Sequence, residues 1–293
     1  MPRRAMLLGQ CAPAFGSRHF PFTTHARAPI SSPVQSRPSA FPAPREFYQS
    51  PMHAAMVAVH GADMTIRTKT ITRGERVAYL ARPADARAGV LLLPSVHGID
   101  QYATAYAHAL AEAGLATIIW EPFPGLPPAE TREQRATRLA PLTDATSLRE
   151  ITWWLDVMAR ELALTTIGTA GFCLGGRYGL LLSARDKRIA ACVSYYPTIE
   201  TPPLPGQDED VVALAARIPC PVDMIRAGKD HLTSDDIFQR LRANLQRRSA
   251  PTIVQHYPDG DHGFMQRSGA ANEAAIHLST PQTIAFLKAA LAA

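Results

Sequence analysis

The run Gly171-Phe172-Cys173-Leu174-Gly175-Gly176 lies between an extended segment, residues 165–170, and a segment of helical composition, residues 177–184. Strand, Gly-x-nucleophile-x-Gly and helix in that order describe a turn so tight that its central residue is forced into a strained backbone conformation, with small neighbours on either side to avoid collision. Such a turn pushes the central side chain out at the C-terminal edge of a sheet, over a helix N-terminus whose free N–H groups and dipole favour an anion. Here that side chain is a thiol, and a helix N-terminus lowers a cysteine pKa from its usual value of about 8.5. Cysteine is also among the residue types most often buried as plain packing. The remainder of the chain separates those two readings.

Strand and helix patterns alternate on both sides of the turn. Residues 62–79 read as one or two short strands around Gly74-Glu75, residues 90–93 and 116–120 as continuous apolar strands, and residues 190–195 as another. Continuous apolar strands are those covered on both faces. Helices are predicted over 102–113, ended by Gly114, over the amphipathic stretch 147–162, and over 234–246 and 281–291. The class is therefore α/β: a mostly parallel, doubly wound sheet with helices on both faces and its site at the strand C-termini. Residues 122–138 are rich in proline and charge and read as a long irregular excursion bordering that site.

A nucleophile elbow is completed by an acid and then a histidine, each after a later strand. Residues 220–227 read as the first of those strands and Gly228-Lys229-Asp230 as its turn, so Asp230 is the candidate acid. Asp223 lies inside the strand, and Asp235 and Asp236 look like helix-start residues. Residues 252–257 form the second strand, Pro258-Asp259-Gly260-Asp261 a turn, and His262-Gly263-Phe264 the loop that carries the candidate histidine. His231, His256 and His277 read as structural. In this arrangement His262 takes the thiol proton, Asp230 fixes its tautomer, and the thiolate attacks an acyl carbonyl. The oxyanion needs preorganised donors, assigned to the backbone N–H groups of Leu174 and of Val96 in the loop Pro94-Ser95-Val96-His97-Gly98.

With these residues in place, the chain resembles the dienelactone hydrolase family over roughly residues 77–291. The likeness is carried by Gly171-Phe172-Cys173-Leu174-Gly175-Gly176, Gly228-Lys229-Asp230 and His262-Gly263-Phe264, with support around Pro94 to Gly98. The resemblance implies an α/β-hydrolase fold, a Cys-Asp-His triad, no cofactor and no metal, and hydrolysis of a lactone or small carboxylic ester, as in carboxymethylenebutenolidases. It also implies two departures. The family carries a glutamate where this chain has Ser95, and substrate-binding arginines that would fall near Gln266, beside Arg267, and in the segment holding Arg132, Arg135 and Arg138. Ser95, His97, Arg267, Arg138 and Tyr196 are accordingly the candidate substrate contacts. Without a carboxylate at Ser95, the Cys173 thiol is expected to pair with His262 even before substrate binds. Two other functions stay open: a non-turnover ligand binder or thiol sensor on a hydrolase fold, and an acyltransferase.

Charge adds little to this. Residues 1–50 hold six arginines against Glu46 alone, which accounts for the whole net charge of +5 and leaves the rest of the chain neutral. No basic face with interleaved aromatics points to nucleic acid, and no apolar run approaches the length of a membrane span. Cys11, Cys192 and Cys220 show no metal spacing, and Cys192 and Cys220 read as core residues. A reactive thiol suits a reducing, cytoplasmic setting. Residues 1–60 read as a disordered Pro/Arg-rich extension with partial transit-peptide character, Met52, Met56 and Met64 being alternative starts, and residues 61–293 as one hydrolase-like domain. A small-molecule substrate and a monomer or small homo-oligomer complete the expectation.

Overall fold

The computed structural model describes residues 65–292 except 128 and 130, so the expected N-terminal extension lies outside the described residues. Eight strands form one sheet in the order β1-β2-β4-β3-β5-β6-β7-β8. They are β1 Ile66–Arg73, β2 Arg76–Pro83, β3 Ala88–Leu93, β4 Ala116–Trp120, β5 Thr166–Phe172, β6 Ile189–Tyr195, β7 Val222–Lys229 and β8 Thr252–Asp261. The hairpin β1–β2 and the pair β2–β4 are antiparallel, and all pairs from β4 to β8 are parallel.

The helices are α1 Gln101–Glu112, α2 Arg132–Leu139, α3 Asp144–Arg160, α4 Leu174–Arg185, α5 Val211–Leu214, α6 Asp235–Gln246 and α7 Ala270–Leu291. Helices α1 and α7 pack together, while α3, α4, α5 and α6 form a second contiguous layer, so both sheet faces are covered. That is why β4 is buried at every residue and β3 from Gly89 to Leu93. After β3 the chain crosses to β4 on one side and later to β5 on the other. This reversal opens a crevice above the C-terminal ends of β3 and β5, where such sheets bind ligands.

Three elements differ from the sequence expectation. The excursion over 122–138 contains α2, closed by a capping box in which Thr131 Oγ1 accepts from Gln134 N–H and the Gln134 side chain accepts from Thr131 N–H. The strand β8 runs through the expected turn at 258–261. Proline is tolerated there because β8 is an edge strand, and an irregularity between Ala227 and Lys229 restores the pairing with Lys229 opposite Asp261. Finally, α7 begins at Ala270 and carries Pro281 inside it. Burial of Ala275, Ile276, Thr283, Leu287 and Leu291 holds the helix together across the missing N–H.

Candidate active site

Cys173 stands between β5 and α4, as the N-cap of the helix, with φ +56° and ψ −113°, a conformation that L-residues avoid. The glycines around it are dictated by contact. A Cβ on Gly171 would stand 2.2 Å from Gly175 O, and one on Gly175 would stand 1.9 Å from Leu93 O. The turn therefore closes only with hydrogen at both positions. Leu174, the first helical residue, directs its N–H toward the sulfur, so the helix end favours the thiolate.

His262 follows β8 directly. Gly263 takes a left-handed conformation at φ +79°, which turns Phe264 into the core against Tyr195, Tyr196 and Tyr257. The buried phenylalanine thereby anchors the histidine loop. His262 Nδ1 lies 2.9 Å from Asp230 Oδ1. The same oxygen accepts from Leu232 N–H at 2.9 Å and Thr233 N–H at 3.1 Å, and Arg226 Nη1 is 3.6 Å from Oδ2. Burial alone would raise the Asp230 pKa, but His262, and after it the Leu232 and Thr233 N–H groups, hold it below the usual carboxylate value.

The sulfur and the imidazole perturb each other. Burial opposes the thiolate, yet the charge of His262, with help from Thr198 and Leu174, brings the Cys173 pKa down. Burial likewise opposes the imidazolium, yet Cys173 and Asp230 push the His262 pKa up to about 10. The two shifts favour a thiolate–imidazolium pair. The thiol has a second neighbour besides the imidazole. Sγ meets Thr198 Oγ1 at 3.0 Å, while His262 Nε2, whose interaction with the sulfur contributes to both shifts, has no other hydrogen-bond partner among the described residues.

These groups open onto a cavity of about 1040 Å³ lined by Cys173, Leu174, Thr198 and His262, by Ser95, Val96 and His97 of the loop after β3, and by α2 residues including Arg135 and Leu139. In that loop Gly98 N–H donates to Ser95 O at 3.0 Å and His97 N–H to Ser95 Oγ at 3.3 Å. The Val96 N–H takes part in neither bond. Among the described residues no cluster of three His, Cys, Asp or Glu side chains is arranged to hold a metal ion, and no helix is long and apolar enough to cross a membrane.

A family model described as the dienelactone hydrolase family matches residues 77–291. The chain belongs to the dienelactone hydrolase family. Over 139 residues it is 32% identical to the Bradyrhizobium protein named "Probable 2-oxo-3-(5-oxofuran-2-ylidene)propanoate lactonase", a match covering 44% of this chain and about half, 54%, of that protein. It is 29% identical over 223 residues to carboxymethylenebutenolidase 2 of Cupriavidus pinatubonensis, covering 73% of this chain and 84% of the relative. A Klebsiella pneumoniae structure described as "Putative Dienelactone Hydrolase" superposes with a TM-score of 0.66 at 20% identity, over 78% of this chain and 99% of the other. The fold is that of the α/β-hydrolases, and the protein is a hydrolase of the dienelactone hydrolase type.

Within this family the departures at Ser95 and Gln266 become a single feature, because the two side chains touch. Gln266 Nε2 donates to Ser95 Oγ at 2.9 Å and also to Asp100 Oδ2, while Ser95 Oγ lies 3.2 Å from Gln266 Oε1. Asp100 is the N-cap of α1, accepting from Tyr102 and Ala103 N–H groups. A neutral amide thus ties the loop after β3 to the loop carrying His262.

The candidate substrate contacts divide. Ser95, His97 and Arg267 line the cavity. Arg138 does not: it is buried, with its guanidinium stacked 4.2 Å from the Phe123 ring centroid. Tyr196 does not either. It takes φ +34°, is buried, and packs beneath His262 with ring centroids 5.2 Å apart. Sequence reading missed Thr198 at the cavity wall and the α2 residues above it. The capping-box pattern at Thr131 and Gln134 was the available signal for α2; Thr198 carried none beyond its place after a strand end.

Proposed function

We propose that this protein hydrolyses a lactone or small carboxylic ester by nucleophilic catalysis at Cys173. The observation that carries the reading is the convergence, at the floor of one cavity, of an elbow thiol with lowered pKa and a histidine oriented by a buried aspartate. His262 Nε2 accepts the thiol proton, and Asp230 fixes the tautomer by accepting from Nδ1–H. The sulfur lone pair forms the bond to the acyl carbon, and the carbonyl π pair moves onto oxygen. The N–H groups of Leu174 and Val96 receive that oxyanion. Collapse expels the alkoxide, which His262 protonates, and leaves a thioester. Water, deprotonated by His262, then attacks the thioester and releases the carboxylate and the thiolate. For a lactone the alkoxide stays tethered, and the product is a hydroxy acid or its keto tautomer. The names of the relatives point to unsaturated lactones as the first substrates to try.

The test is turnover of cis- and trans-dienelactone and p-nitrophenyl acetate by wild type and Cys173→Ala. Turnover that disappears in the variant, with an acyl adduct on the wild-type protein by intact mass, supports the reading. Turnover retained by the variant refutes a thiol nucleophile.

A further inference from the structure

Thr198 is fixed from several directions at once. Its N–H donates to Cys173 O at 3.1 Å. On either side, Pro197 O accepts from the Thr233 hydroxyl at 2.7 Å, and Ile199 N–H donates to Thr233 Oγ1 at 2.9 Å. Thr233 is itself held by the acid loop, donating its N–H to Asp230 Oδ1 at 3.1 Å and accepting at its carbonyl from Arg226 Nη1 at 2.9 Å. The Thr198 side chain is only 5% exposed, and its hydroxyl meets Cys173 Sγ at 3.0 Å. The brace that orients the catalytic acid therefore also aims this hydroxyl at the sulfur.

A thiol and a thiolate make different demands on such a group. The neutral thiol is a weak donor and a weak acceptor, whereas the thiolate only accepts. A hydroxyl donor gains most with the anion, because charge-assisted hydrogen bonds are about twice as strong as neutral ones. His262 Nε2 bears on the same sulfur and has no other hydrogen-bond partner among the described residues. Moving the proton from Sγ to Nε2 satisfies both neighbours together: Nε2 gains its proton, and the Thr198 O–H turns to donate to sulfur.

We propose that Thr198 is a catalytic residue whose hydroxyl donates a hydrogen bond to the Cys173 thiolate, holding the sulfur charged and aimed before substrate arrives. This rests on Cys173 being the nucleophile. When the sulfur lone pair forms the bond to the acyl carbon, charge passes to the carbonyl oxygen, and the Thr198 bond weakens to an ordinary one. The hydroxyl thus stabilises the resting thiolate more than the transition state. It raises the fraction of thiolate and lowers the reactivity of each one, a pair of effects that a purely structural residue does not produce.

The experiment is the rate of Cys173 alkylation by iodoacetamide across pH, for full-length wild type, Thr198→Val, Thr198→Ala and Thr198→Ser. The rate is read by mass spectrometry of the Cys173 peptide, so that Cys11, Cys192 and Cys220 do not contribute. A sulfur–carbon bond forms and iodide leaves, so the assay needs no ester and reads the thiolate even if Cys173 proves not to be the hydrolytic nucleophile. In that case Cys173→Ala would retain turnover while the alkylation profile still moved. In Thr198→Val the profile should shift to higher pH, with alkylation about tenfold slower below the midpoint, equivalent to about one pH unit. The high-pH plateau should equal or exceed that of wild type. Thr198→Ala should repeat this if the valine variant folds poorly, and Thr198→Ser should restore the wild-type profile. An unmoved midpoint in the valine or alanine variant, or a serine variant that behaves like valine, would overturn the proposal.

Discussion

Gly175→Ala tests the elbow with a single methyl group. The added Cβ would stand 1.9 Å from Leu93 O, 2.4 Å from Leu93 C and 2.6 Å from Pro94 O, all of them backbone atoms. No rotamer relieves a backbone contact. Since Cβ atoms keep at least 3.0 Å from such neighbours, α4 and the end of β3 must separate by at least about 1.1 Å. Forcing extra volume into a packed core costs ~1–3 kcal/mol, a fall of roughly 2–10 °C in Tm for a domain of this size. The effect on rate should be larger than the effect on stability. The two displaced elements carry Leu174 and Val96, and a misplacement of about 1 Å at a reacting centre lowers the rate about 100-fold. The assay is p-nitrophenyl acetate hydrolysis, with Tm followed by circular dichroism. Gly179→Ala is the internal control: it lies on the same helix, but its Cβ would meet nothing closer than 3.7 Å, from Cys192 Sγ and Thr169 Oγ1. That change should leave kcat alone and raise stability by up to about 1 kcal/mol through helix propensity. If Gly175→Ala keeps kcat within about threefold of wild type while remaining folded, contact-limited geometry does not explain the glycines of the elbow.

Other outcomes follow from the same structure. Arg177 and Asp144 form a buried pair, with Arg177 Nη2 2.9 Å from Asp144 Oδ2 and also donating to Glu209 O at 3.0 Å. Arg177→Ala should cost about 3–5 kcal/mol in urea unfolding because it strands a buried carboxylate, and a loss below about 1 kcal/mol would contradict this. Burial pushes the Asp223 carboxyl up to about 6 against a single bond from Gln255. Its folded pKa exceeds its unfolded value of 3.8, so the penalty is absent below that value, grows as pH rises, and is complete above about 6. Asp223→Asn should therefore stabilise the protein by about 1–3 kcal/mol at alkaline pH and by nearly nothing at acid pH, and a pH-independent difference in urea unfolding would refute the assignment. Gln266→Ala removes the amide that ties Ser95 to Asp100. It should lower kcat roughly tenfold by freeing the oxyanion loop while leaving the pH profile of Cys173 alkylation unchanged. A shifted profile would place Gln266 in the thiol's own environment instead.

How much was legible depended on how local each cause is. The elbow could be read because its pattern spans six neighbouring residues, Gly171 to Gly176, and part of its constraint is local: a Cβ on Gly171 would collide with Gly175 O, whereas Gly175 is limited by Leu93 O of another strand. The positions of Asp230 and His262 after β7 and β8 were legible because parallel strands bring all their C-terminal ends to one edge, so chain order maps onto site geometry. Element ends were not readable where packing overrides propensity. The strand β8 continues through Pro258 and Gly260 because β7 pairs with it, and α7 spans Pro281 because its apolar face is buried.

The alternation of strands and helices, the strained turn with its thiol and the places of Asp230 and His262 after β7 and β8 were thus determined by the chain itself, through local sterics and hydrophobic pattern. Which side chain meets which was decided only by the tertiary structure. Arg138 stacks on Phe123 while Arg135, one turn earlier on α2, faces the cavity, because helix packing selects the face that each residue presents. Ser95 meets Gln266, and Cys173 meets Thr198, across long stretches of sequence. Hydrogen bonds act over about 3 Å, and no sequence pattern encodes a distance that exists only after the sheet has closed.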